Sequence, residues 1–166
     1  MLKSLIAEFE HEVTGTRKLL QAIPAKDIDY KPAATSWTMG ELAQHIATIY
    51  YWHVGVLAQD VYDLTADRIN RGAPADIEAT LNFFEENVER VRAALNAITE
   101  GNLLDLWTMK SGDHTIIGPM PRGLVVRSFL FNHVYHHRGE MVVYLRATGN
   151  QVPGLYGPTY DEQPTR

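Results

Sequence analysis

Two histidines, His133 and His137, stand four residues apart in the stretch FNHVYHHRGEMVVYLRATG, residues 131–149. On a helix, residues at i and i+4 lie one above the other on a single face. Two imidazoles placed that way can bind one metal ion from the same side. Both fall in the apolar stripe Val126, Leu130, His133, His137, Met141, Tyr144. Side chains on such a stripe point toward the core or a site within it. A third histidine, His45, follows an earlier stripe made of Leu42, His45, Ile49, Trp52 and Val56. Three imidazoles with a fourth position left open match the donor pattern of a catalytic metal centre. The spacing also leaves a second reading open, in which each is a hydrogen-bonded core histidine. The chain has no cysteine. Any metal is therefore held by nitrogen and oxygen, and any thiol chemistry needs a thiol from outside. Zinc or nickel leads for such a donor set, with iron, manganese and cobalt as alternatives.

Glu140 follows His137 by three residues, and Glu41 precedes His45 by four. Either carboxylate could fix an imidazole tautomer or act as a general base. Glu140 is the candidate catalytic residue. The competing expectation is a solvated helix-face glutamate for Glu140 and an N-terminal cap for Glu41. His136 points about 100° away from His137. His11 and His114 are expected in solvent, His53 in packing or behind a ligand rather than as a ligand itself, and Arg138 exposed. Tyr50, Trp52 and Trp107 are candidate pocket walls.

The elements that must position these residues follow from periodicity. Leu2, Leu5, Ile6, Phe9, Val13, Thr16, Leu20 and Ile23 predict a helix over 2–23, stopped by Pro24. Residues 24–37 carry no period and form a connecting loop. Thr38 with Glu41 three residues on is a capping-box pattern, opening a second helix that runs to about Tyr62. A break is expected at Asn70-Arg71-Gly72-Ala73, with Pro74 in the first turn of a third helix. That helix carries Ile77, Leu81, Phe84, Val88, Val91, Leu95 and Ile98, and Gly101 ends it. Apolar runs on either side of Ser111-Gly112-Asp113 predict a small hairpin or irregular crossover over 103–120. Pro121 then opens the last helix, which runs to about Thr148 with Gly149 and Asn150 as its cap. The tail is irregular, and its tyrosines are expected to pack along the bundle. Four long amphipathic helices give an all-α four-helix bundle, whose sites form from inward side chains on facing helices.

At 166 residues the chain is read as one domain, 1–166, with 45% hydrophobic residues and a net charge of −5. An acidic chain with no Lys/Arg cluster is a poor nucleic-acid binder. No apolar run is long enough to span a bilayer. The acidic start, MLKSLIAEFEHE, lacks the apolar block of a signal peptide, so a cytoplasmic protein is expected.

The segment WTMGELAQHIA, residues 37–47, resembles the tryptophan-to-histidine segment of the DinB/YfiT-like family. NHVYHHRGEM, residues 132–141, resembles that family's closing H-x-x-x-H-R-G-Q segment, and VPGLYGP, residues 152–158, is similar to its tail. The resemblance implies an up-down-down-up four-helix bundle, commonly a homodimer, with His45, His133 and His137 as its metal triad. It implies a divalent metal and a small-molecule substrate. Some relatives transfer a low-molecular-weight thiol such as bacillithiol or mycothiol, and one related branch isomerises maleylpyruvate. A thiol S-transferase-like enzyme acting on an electrophile is therefore the first functional expectation. A metal-dependent hydrolase and a non-enzymatic, stress-related metal-binding bundle are the alternatives. One departure stands out, because Glu140 occupies the place where the family usually has Gln.

Overall fold

The structure, a computed structural model, describes residues 1–69 and 74–163. Helix α1, Leu2–Gln21, buries Leu5, Phe9, Val13, Leu19 and Leu20 on one face. Helix α2, Met39–Ala58, opens on the expected capping box. The Thr38 hydroxyl accepts from the Glu41 N–H at 3.0 Å, and the Glu41 carboxylate accepts from the Thr38 N–H at 2.7 Å. These bonds satisfy two backbone donors that a helix start otherwise leaves orphaned.

Helix α2 stops at Ala58 rather than near Tyr62. The buried guanidinium of Arg122 reaches its end and donates to the carbonyls of Val56 and Gln59, the latter at 2.8 Å, and to Asp60 at 2.6 Å. A cation on the last carbonyls of a helix complements its negative end. The chain then turns into strand β1, Val61–Asp63. Tyr62 packs against α2 at Gly55, where an added Cβ would sit 2.5 Å from the ring.

Helix α3, Ile77–Ala97, begins after Asp76, whose carboxylate accepts from the Ala79 N–H at 2.7 Å. Pro74 precedes this cap, so it does not enter the first turn. The expected break at Asn70 to Ala73 lies outside the described residues. The helix ends at Ala97, and Gly101 belongs instead to the short 3-10 turn Gly101–Leu103.

Strands β2, Leu106–Ser111, and β3, His114–Pro121, form the expected hairpin. Gly112 turns it with a φ of 58°, which suits the first position of a tight two-residue hairpin turn. The all-α expectation needs correcting here. Strand β1 pairs in parallel with β2, and β2 pairs antiparallel with β3, giving a small three-stranded sheet beside the helices. Trp107 and Met109 face inward from β2 and are buried, while Leu106 faces out.

The last helical stretch has three parts. Helix α4, Arg122–Val125, leads into a π-helical segment, Val126–Phe131, and then into helix α5, Asn132–Ala147. Segments with i→i+5 bonding recur at functional sites, and this one ends two residues before His133. The chain is thus mostly helical, with four long helical stretches and one sheet among the described residues. Phe9, Ile46, Tyr50, Phe84, Val88, Val91, Leu130 and Met141 are among the residues of the shared core. No helix among the described residues is long and apolar enough to cross a membrane.

Candidate metal centre

His45 reaches the site from α2, and His133 and His137 reach it from α5. Nε2 of His45 and Nε2 of His133 are 3.1 Å apart. The His137 ring centroid lies 4.4 Å from that of His45 and 4.7 Å from that of His133. One ligand atom from each of the three lies within 4.8 Å of the others. A packed core needs no such convergence of three imidazoles drawn from two helices.

The site's electrostatics favour ligand chemistry. Burial, aided by the neighbouring His137 and His136, pushes the His133 imidazole down to about 4. Burial also lowers His137, although the Glu140 carboxylate opposes the shift. Neutral imidazoles are the form that binds a metal. Three imidazole nitrogens without a thiolate suit a borderline divalent ion. The residues present therefore fit the group that the sequence pattern suggested.

The rings are held differently. The Nδ1–H of His137 donates to Glu140 Oε2 at 2.6 Å, which leaves Nε2 for an ion. His133 is stacked on Trp52, with centroids 5.9 Å apart and an interplanar angle of 16°, and its Nδ1 is buried without a partner. Glu140 Oε1 lies 3.3 Å from Nε2 of His136, whose side chain is 64% exposed. Both carboxylate oxygens of Glu140 thus face histidines on its own helix. That placement suits a positioning group better than a general base. His136, His137 and Glu140 make a second grouping that could hold a cation, but it is more open and shares His137.

A pocket of about 270 Å³ adjoins the triad, lined by Trp37, Glu41, His45 and Trp52. Trp52 stands where expected. Tyr50 and Trp107 do not, because both are fully buried. The Tyr50 hydroxyl pairs with that of Thr16 at 2.7 Å, well inside the core. Trp37 was not among the expected walls. Its ring lies 4.7 Å from His45 and 5.6 Å from His137. It sits in the aperiodic loop before α2, where no stripe assigns a face. The signal available was its position immediately before the Thr38 cap, which sets an aromatic at the mouth of the helix carrying His45. Glu41 serves as the cap, as the competing expectation had it, and its bond to the Thr38 N–H holds its carboxyl below the usual range.

Arg138 is also corrected. It was expected in solvent and is 1% exposed. Its guanidinium pairs with the buried Glu12 carboxylate and with the Tyr156 hydroxyl, and donates to Thr16 Oγ1 at 3.3 Å. Of the tail tyrosines, Tyr156 brings its hydroxyl to this pair although its ring stays largely exposed, and Tyr160 is exposed as well. Glu12 was missed because a carboxylate one residue before Val13 reads as a flank of the stripe. The repeat Phe9, Glu12, Thr16 on one face was the available signal. His53 is packed as expected, buried among Phe9, Tyr50 and Phe131 with Nδ1 2.8 Å from the Ile49 carbonyl. His11 and His114 are exposed.

Comparison with known proteins agrees with this picture. The DinB family model matches residues 1–166. The Bacillus subtilis (strain 168) protein YrdA, itself uncharacterized, is 30% identical over 171 residues, covering 97% of this chain and 91% of its own. A DinB-like protein of Bacillus cereus ATCC 10987, solved by crystallography, superposes with a TM-score of 0.70 at 24% identity, over 93% of this chain and 97% of that one. YfiT of Bacillus subtilis superposes with a TM-score of 0.62 at 17% identity, over 89% and 87%. YfiT is described as a probable metal-dependent hydrolase with an unusual four-helix bundle topology.

Proposed function

This chain belongs to the DinB family, and from that premise we propose that it is a metal-dependent hydrolase of small molecules. The observation that carries the proposal is the convergence of His45, His133 and His137 beside a pocket. The description of YfiT lends support from a structural neighbour. His45, His133 and His137 would hold a divalent ion with one position open, and such an ion would supply the Lewis acidity that makes water nucleophilic near neutral pH. The chain's own part is to place the ligands and shape the approach. Glu140 orients His137 through Nδ1. Trp52 fixes the plane of His133. Glu41 holds a negative charge beside the pocket, and its depressed pKa makes it a poor proton acceptor.

Transfer of a low-molecular-weight thiol finds less support in the site. A pocket of about 270 Å³ lies below the roughly 300–1,000 Å³ usual for ligand pockets. A purely structural metal would more often close its shell with four protein ligands, and the triad gathers no fourth among the described residues. The up-down-down-up helix order belongs to the same proposal, supported by connections between the helices that are longer than tight turns.

Elemental analysis of protein purified without chelator or nickel resin is the direct test, followed by ester and amide hydrolysis with and without chelator. About one divalent ion per chain and chelator-sensitive hydrolysis are expected. Metal-free protein that fails to take up zinc would overturn the proposal.

A further inference from the structure

Trp37 is a large apolar side chain left 46% exposed, yet it contacts two of the three clustered histidines. A single exposed apolar side chain is ordinary on a protein surface, and what sets Trp37 apart is its contact with the histidine cluster. Here the backbone beside it is anchored. The Trp37 carbonyl accepts from the Tyr144 hydroxyl at 3.1 Å, and the next residue is the Thr38 cap of α2. The backbone is therefore anchored next to the triad while the indole stays partly open to solvent. Trp52 lines the same pocket, in edge contact with His45 at 5.7 Å. Glu41 is the charged member of the four lining residues, and it is held ionised by its backbone bond.

Resting on the hydrolase reading, we infer that Trp37 is a specificity-determining residue that selects substrates carrying a flat, uncharged aromatic group next to the bond held at the triad. The indole offers a face against which such a group stacks, and ring pairs prefer offset or edge contacts at centroid separations of about 4.5–7 Å. The pocket has room for such a ring beside the triad. The Glu41 carboxylate beside it disfavours an anionic substituent by like-charge repulsion. The inference needs nothing from Trp52 beyond its place as a wall.

Two zinc-directed probes test it, acetohydroxamate and benzohydroxamate, which share a chelating head and differ by the ring. Their affinities for the zinc-loaded protein are measured by calorimetry, in the parent and in Trp37→Ala and Trp37→Phe. The acetohydroxamate affinity reports whether the histidines still hold accessible zinc. The ratio of the two affinities reports the ring. Trp37→Ala should lower the preference for benzohydroxamate about fivefold, and Trp37→Phe should restore most of it. An unchanged ratio in Trp37→Ala overturns the inference and leaves the metal reading standing. Failure of both probes to bind the parent overturns the metal reading and the inference together.

Discussion

Glu140 accepts a 2.6 Å hydrogen bond from Nδ1 of His137, one turn earlier on the same helix. A carboxylate behind a ligating imidazole sets its tautomer and raises its basicity. Gln at this position would keep an acceptor oxygen and lose the charge. Glu140→Gln should therefore keep the fold and weaken zinc binding by about tenfold. Competition with a chelating dye reads this directly, and superimposable curves would remove Glu140 from any role at the site.

The i, i+4 geometry makes its own prediction. His133→Ala and His137→Ala should each remove most of the bound metal, and His136→Ala should leave it. Elemental analysis after desalting decides the matter. Metal retained in His133→Ala and lost in His136→Ala would show that the second, more open grouping is the one that binds.

Arg138 and Glu12 form an ion pair in which both side chains are almost fully buried. Removing one partner strands the other charge in the core. Arg138→Met should lower stability by about 3–5 kcal/mol. The double variant Arg138→Met, Glu12→Leu should recover most of that loss, because the desolvation penalty disappears with both charges. Urea denaturation of the four proteins of this cycle measures the coupling, and simple additivity would contradict it.

His53 should make the protein acid-sensitive. Burial pushes its folded-state pKa down to about 4, from an ordinary 6.5. The unfolded chain therefore takes up this proton first as the pH falls. Stability is full above about pH 6.5 and declines toward pH 4, by about 3 kcal/mol from this group. His133 is shifted in the same direction and adds to the slope. Chelator-treated His53→Leu should show a shallower decline than the parent in urea titrations between pH 7 and pH 4. Parallel profiles would mean that His53 does not titrate in this window.

Periodicity is a local property, and what depends on it alone was legible in the chain. The stripes of α1, α2, α3 and α5 follow from the spacing of apolar side chains. So does the shared face of His133 and His137, because four residues make about one turn. The Thr38–Glu41 cap and the Gly112 turn were legible for the same reason, each being complete within four residues. Strand β1 was not, since three residues carry no period and pair only with a strand more than forty positions away. Trp37 sits in a loop, where no period assigns a face. Arg138 shows the limit most clearly. A charged residue beside His137 reads as solvent-facing until Glu12, 126 positions earlier, is brought against it. The meeting of His45 with His133 across 88 positions is of the same kind. Each chain segment set which residues share a face, and only packing decided which faces meet, because contact between distant helices depends on the burial of every stripe at once.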